Sequence, residues 1–317
     1  MPEVIWEHDT RVWTQRLTRE KPGEFVLRRR IRESRPDAVI VRHSSTARIA
    51  SSARGGKGAV IAARPSGDGA AVYALHSQMQ LAAALWPEPQ QQGCDVFDEL
   101  GILLAEVHSA PGSSSEYDSP HLLRLRKHLT SGSETNSGIF LATLRPAWLA
   151  SLKAWASNLP SGSVVSHGGW SLGSVFHSPN SELIEVPIGA ELTFSVPEFD
   201  LGWMIGELAE YAYLAELGGT SGSRYDEMAS ALLSRYIDET RHQLDPSWLQ
   251  RFMALRVTLH LCDYVESFVP HSSLKVYPPF IGSLVERSWA LASENPIAPT
   301  SSATATPNHH YPPEETT

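Results

Sequence analysis

The sequence predicts an α+β protein. A small β-rich N-terminal lobe covers residues 1–75, and a larger helical lobe covers 76–292 with one strand–loop–strand region over 164–194. Three observations predict this order. β-Branched runs separated by turn residues fill the first quarter of the chain and then stop. From about residue 75 the apolar period becomes helical. Among the helical segments lies one glycine-containing stretch with β-branched entry, "VVSHGGWSLGSVF", Val164 to Phe176.

In chain order, "EFVLRRRI" and "DAVIVRH" read as short strands, and "GAVIAARPSGDGAAVYAL" as two strands joined by a Ser-Gly-Asp-Gly turn. The small, polar "SSTARIASSARGGKG" between them reads as a mobile loop. "HSQMQLAAALW" predicts a helix ending before Pro87, and "PEPQQQG" a linker. In "DVFDELGILLAEVHS" Val96, Leu100, Leu103, Leu104 and Val107 share one helical face, with Asp95 placed to cap it. "SAPGSSSEYDSP" is a loop, and "HLLRLRKHL" and "RPAWLASLKAWASNL" are helices. "ELIEVPIGAELTFS" predicts a further hairpin, "PEFDLGWMIGELAEYAYLAEL" a long apolar helix, and helices follow near 224–240, 246–268 and 280–292. The Pro-, Thr- and Ser-rich residues 293–317 predict a disordered tail.

Apolar residues make up 42% of the 317, with nine tryptophans, which is the composition of a globular chain with a sizeable core. The formal charge is −9, from 26 basic and 35 acidic residues, which disfavours non-specific nucleic-acid binding. Cys94 and Cys262 lack metal-type spacing and fit a reducing compartment. The N-terminus has no apolar signal core, and no run approaches the roughly eighteen apolar residues that span a bilayer. The expectation is a cytoplasmic protein with neither membrane nor nucleic acid as partner. A bias to Arg and Ala over Lys points by association to a GC-rich bacterial genome.

Three motifs carry a resemblance. "LGILLAEVH" (Leu100 to His108) is similar to a Leu-Gly-x-x-Leu-Ala-x-x-His helix. "HGGWSLGSVF" (His167 to Phe176) looks like a His-Gly-Asp-x-x-x-x-Asn loop, and "PEFDLGWMIGEL" (Pro197 to Leu208) like a helix opening Pro-x-x-Asp-Leu. In this order they resemble the aminoglycoside phosphotransferase-like branch of the protein-kinase fold, over roughly residues 95–215. The resemblance implies a bilobal kinase-like architecture. It also implies that Asp200 hydrogen-bonds the backbone of the His-Gly loop and that His167 packs beneath it.

The departures from the pattern bear on activity. Phosphoryl transfer needs a carboxylate to accept the hydroxyl proton and oxygen ligands to hold Mg²⁺. The base position is Gly169 and the metal-ligand Asn position is Ser174. A second ligand belongs about a dozen residues before Asp200, and no Asp lies between Asn180 and Pro197. The strand expected to carry the phosphate-gripping lysine offers Arg28, Arg29 and Arg30. The reading is a degenerate member, a pseudokinase, with no cofactor and no metal.

Other residues have two readings each. His167 is a loop-supporting core histidine or a general base, and His177 a surface residue or a second base. Arg28, Arg29 and Arg30 are a solvated strand edge or an anion clamp for an acidic peptide. Trp170 fills vacated cofactor space or offers a flat surface to a peptide. His108 is read as a helix-end charge, and the glycines of "SARGGKG" as a flexible loop.

The expected function is binding of an acidic peptide or a partner modification enzyme, a kinase or lyase. The protein would serve as scaffold or as thioether-ring (lanthionine) cyclase in the biosynthesis of a ribosomally made modified peptide. Alternatives are an atypical phosphotransferase using Glu185 or Glu191 for metal, and a small-molecule-binding protein.

Overall fold

The computed structural model describes residues 2–9, 13–31, 46–51, 53, 56–85, 94–111, 119–178, 181–189, 191–268 and 272–286. The predicted strand "DAVIVRH" and the C-terminal tail lie outside the described residues.

The first lobe holds β1 (Glu3–Asp9), β2 (Trp13–Lys21), β3 (Glu24–Ile31), β4 (Gly58–Ala62), β5 (Arg64–Pro65) and β6 (Ala71–Leu75). All but β4 form one antiparallel sheet in the order β1-β2-β3-β6-β5. Side chains alternate across a strand. In β3 that alternation turns Phe25, Leu27 and Arg29 inward, where they are buried, and leaves Arg28 and Arg30 exposed. Leu17, Leu27, Tyr73, Leu75 and Phe176 make the small core beneath this sheet.

β4 departs from the expected organisation. It leaves the lobe's own sheet and pairs in parallel with β10 (Ser181–Ile188), Gly58 opposite Ile184 through Ala62 opposite Ile188. With β7 (Met79–Gln80) and β9 (Phe176–Ser178) these strands make a four-stranded sheet ordered β4-β10-β9-β7. The division near residue 75 is therefore crossed by a hydrogen-bonded ladder. The predicted hairpin over 182–195 is replaced by strands in two sheets. β10 joins the four-stranded one, while β11 (Thr193–Ser195) pairs with β8 (Val164–Ser166).

Residues 46–51, expected in a loop, are helical (α1), because Ile49 turns into the main core. The helix expected from residue 76 is shorter: β7 precedes α2 (Leu81–Leu85). α3 (Asp95–Ser109) starts at Cys94 without a side-chain cap, so Asp95 lies inside the first turn. α4 (Pro120–Thr130), α5 (Asn136–Leu141) and α6 (Pro146–Ser157) surround a centre made by α7 (Pro197–Leu217) and α9 (Pro246–Ser267). α7 is buried around most of its circumference, as an apolar helix without a polar face must be. α8 (Ser223–Thr240) packs on α3 and α7, and α10 (Tyr277–Glu286) on α9. Among the described residues no helix is long and apolar enough to cross a membrane.

Candidate functional site between the lobes

The loop after β8 is shaped by Asp200. Pro197 at the start of α7 brings a preset helical φ, and Asp200 in that first turn is fully buried. Its carboxylate accepts the backbone N–H of His167 (2.7 Å) and of Gly168 (3.0 Å). His108 Nε2 lies 3.1 Å from the same carboxylate, and its Nδ1 is 2.8 Å from the Tyr236 hydroxyl. The ring is held from both sides, by the carboxylate at Nε2 and by the Tyr236 hydroxyl at Nδ1. His108 is thus a buried brace for Asp200, not the helix-end charge expected.

Gly168 has φ +83°, the left-handed region that glycine enters without strain. Its carbonyl accepts the Ser119 hydroxyl (3.0 Å), and Ser119 also caps α4 by accepting the His121 N–H (3.3 Å). One serine therefore docks the N-terminus of α4 onto the loop, which brings the His121 imidazole to Gly169. A Cβ at position 169 would stand 2.6 Å from His121 Nε2. His121 Nδ1 lies 3.1 Å from Arg124 Nη2, a donor only, so the neutral ring accepts there and bears its proton on Nε2. Burial holds the His121 pKa well below its ordinary value, and the charges of Arg124 and Arg256 push the same way. The ring is neutral near pH 7.

A cavity of about 290 Å³ opens here between the lobes. The strands contribute His8, Gln15 and Arg29, the loop contributes Gly169 and Ser174, and α4 and α9 contribute His121, Arg124, Arg256 and His260. The carboxylates on its wall are Glu191 and Asp263. Asp263 holds the Arg124 Nε (2.9 Å) and His128 Nε2 (3.1 Å). Glu207 Oε1 holds Arg256 (3.2 Å), while its other oxygen accepts the Leu172 N–H of the loop (2.8 Å). Glu210 holds His260 (2.8 Å). Burial opposes the charge on His260, but Glu210 and the more distant Glu207 outweigh it and raise its pKa.

The residues expected to act do not gather in this cavity. His167 is buried, its Nε2 2.8 Å from the Pro187 carbonyl and its ring edge-on to Trp170 at 5.3 Å. His177 is buried on β9, and burial lowers its pKa. Neither lines the cavity, so neither can pass a proton to a ligand there. Trp170 is 0% exposed and packs in the main core, so it offers no surface to a peptide. The arginine trio does not act as one clamp, because alternation divides it. Arg28 pairs with Asp68, Arg30 is exposed, and Arg29 alone enters the cavity wall, where its Nη1 meets Glu191 Oε1 at 3.2 Å.

The positions that would hold Mg²⁺ do not fit it. Ser174 Oγ takes the Ser171 N–H (3.0 Å) and donates to the Ser171 carbonyl (2.7 Å), closing the loop on itself. Ile188, twelve residues before Asp200, is a fully buried core residue of β10. Glu185 is 1% exposed and its carboxylate accepts the backbone N–H groups of His76 and Ser77. Glu191 gives Oε1 to Arg29, and its Oε2 is buried without a hydrogen-bond partner, a single oxygen with no second ligand beside it among the described residues. Among the described residues no cluster of three or more His, Cys, Asp or Glu could hold a metal ion.

Sequence reasoning missed His121, Arg124, Arg256 and His260. A signal was present: His121, Arg124 and His128 recur at helical spacing in "HLLRLRKHL", as do Arg256, His260 and Asp263 in apolar α9. Two polar stripes on helices that are otherwise core-facing mark a shared wet surface.

No protein-family profile and no curated protein sequence matches the chain. Solved structures do. A choline/ethanolamine kinase family protein from Mesorhizobium loti matches at TM-score 0.51 and 12% identity, over 90% of this chain and 88% of that one. Aminoglycoside phosphotransferase APH(2'')-Ib, ADP-bound, matches at TM-score 0.50 and 12% identity, over 90% and 92%. The chain has the bilobal, kinase-like α+β fold of the aminoglycoside phosphotransferases.

Proposed function

We propose that this chain is a catalytically degenerate phosphotransferase-fold protein that binds a peptide with acidic character in its interlobe cavity and transfers no phosphoryl group. The observation that carries the reading is the combined occupation of the reacting positions. Gly169 stands for the base, Ser174 and Ile188 for the metal ligands, and an Arg29–Glu191 pair closes the strand side of the cleft. Phosphoryl transfer depends on positioned charge and metal, and each remaining carboxylate of the cleft holds at least one protein group. Three arginines and His260 line the cavity while two of the four carboxylates that hold them, Glu207 and Glu210, stand behind the wall, so the face turned to a ligand is the cationic one and favours an anionic occupant.

The reading is that of a scaffold presenting a peptide to a partner enzyme more than that of a ring-closing cyclase. The histidines the sequence offered for thiol deprotonation, His167 and His177, are buried away from the cavity. Thermal melting with ATP and with GTP, each with and without Mg²⁺, tests the claim. We expect no shift at millimolar nucleotide, whereas a ligand present at a hundred times its Kd adds about 2.7 kcal/mol. A Mg²⁺-dependent rise in Tm would overturn the reading.

A further inference from the structure

We propose that the end of the cavity formed by Gly169, His121, Arg124 and Arg256 is a phosphoryl-binding subsite, and that the peptide held in the cleft carries a phosphorylated side chain. This rests on the peptide-binding reading above and names the group recognised.

Polarity is inverted at one point in space. In the motif this loop resembles, position 169 carries a carboxylate, a pure acceptor that draws a proton from a hydroxyl. Here the Cβ position is vacant and His121 Nε2 lies 2.6 Å from it. With Nδ1 accepting from Arg124, that nitrogen is an N–H donor. A donor at this point repels a hydroxyl's proton and welcomes an oxygen that bears charge. The same place has changed from taking a proton off a ligand to giving a hydrogen bond to it.

The charges around it agree. Arg124 from α4 and Arg256 from α9 line the same cavity as Arg29 from β3. Their positive fields all reach His121 and oppose its protonation. Each guanidinium is held by a buried or half-buried carboxylate: Asp263 for Arg124, Glu207 for Arg256, Glu191 for Arg29. Those pairs fix the forks in place before a ligand arrives, so little side-chain entropy remains to be lost on binding. Arg256 uses Nη2 on Glu207, and its guanidinium carries five N–H donors.

A single carboxylate is saturated by one bidentate fork. Guanidiniums on three separate elements, with an imidazole N–H beside that of Arg124, suit a dianionic group with three terminal oxygens. Glu207 also holds the Leu172 N–H, so the arginine on α9 and the loop bearing Gly169 are positioned by one side chain.

The experiment uses the full chain and a labelled acidic peptide of Glu, Gly and Ser, synthesised with one Ser free, phosphorylated or replaced by Glu. Fluorescence anisotropy reads binding. The phosphorylated form should bind at least about tenfold more tightly than both others, a difference of about 1.4 kcal/mol. His121→Phe and Arg256→Gln should bring that ratio toward unity, costing the phosphorylated peptide far more affinity than the unphosphorylated one. Should either variant fold poorly, His121→Asn, which keeps an N–H donor, and Arg256→Lys, which keeps the charge but not the fork, should retain part of the ratio. Inorganic phosphate is the competitor that separates sources. Displacement only at concentrations far above the phosphopeptide Kd supports a peptide-borne group, and displacement at an equal Kd supports the subsite with free phosphate as its ligand. Equal binding of all three peptides would overturn the subsite and leave the peptide reading standing. Binding of none of them, together with a Mg²⁺-dependent nucleotide shift, would overturn both.

Discussion

Replacing Gly169 with Ala tests the contact on which the site turns. Gly169 carries no left-handed φ, so the substitution adds no backbone strain. The new Cβ would stand 2.6 Å from His121 Nε2 and 3.1 Å from Cδ2, well inside van der Waals contact. The imidazole has little room to yield, because its Nδ1 is tied to Arg124 and its ring lies 5.9 Å from that of Trp203. Overpacking of this kind costs about 1–3 kcal/mol. At about 2–4 °C per kcal/mol for a domain of this class, Tm should fall by about 2–12 °C. In a His121→Ala background the obstacle is gone. There Gly169→Ala should be neutral or stabilising by about 0.4–1 kcal/mol, since alanine narrows the unfolded ensemble. Chemical denaturation of the four proteins of this cycle gives the coupling directly, expected at about 1 kcal/mol or more. Additivity within about 0.5 kcal/mol would refute the placement of His121 over position 169.

Other perturbations follow from the same geometry. Asp200→Ala strands the N–H groups of His167 and Gly168 and the His108 ring, and at about 1–3 kcal/mol for each unsatisfied buried group it should unfold the protein or lower its denaturation midpoint severely. Arg29→Ala leaves Glu191 buried with its main counter-charge removed, at a cost of about 3–5 kcal/mol, whereas the double change Arg29→Met with Glu191→Leu should recover most of it. Stability should fall at both ends of the pH scale. Asp263 has a lowered pKa because the His128 hydrogen bond and Arg124 outweigh its burial, so its contribution is present above about 3.8 and lost as pH falls through the folded value. The raised pKa of His260 works oppositely: its contribution is complete below about 6.5 and lost as pH rises through the folded value. Tm measured across pH should lose the acid limb in Asp263→Asn and the alkaline limb in His260→Gln.

The parts of this molecule legible in its sequence are those encoded locally. The period of the apolar residues marks α3, α7, α8 and α9, and the motif spacing brings Asp200 to the loop. Strand alternation applied to "EFVLRRRI" is enough to separate Arg29 from Arg28 and Arg30. What stayed hidden are partnerships between distant residues. The parallel pairing of β4 with β10 joins segments more than a hundred residues apart, and Glu185 reads as a spare carboxylate until His76 and Ser77 are found upon it. His121 precedes Gly169 by forty-eight residues and reaches it through packing of α4 on the core and the bond of Ser119 to the Gly168 carbonyl. Nothing in the nine residues of "HLLRLRKHL" carries that information.

The ladder between β4 and β10 also sets how the molecule comes apart. A two-lobed protein with an open joint has two melting units and can breathe by swinging one against the other. Here a swing that carries β4 with the rest of its lobe must strip five consecutive strand partners and the Glu185 grip on residues 76 and 77. The amides of β4 should then exchange with solvent as slowly as those of α7, in a single cooperative opening, and independently of what the cleft contains.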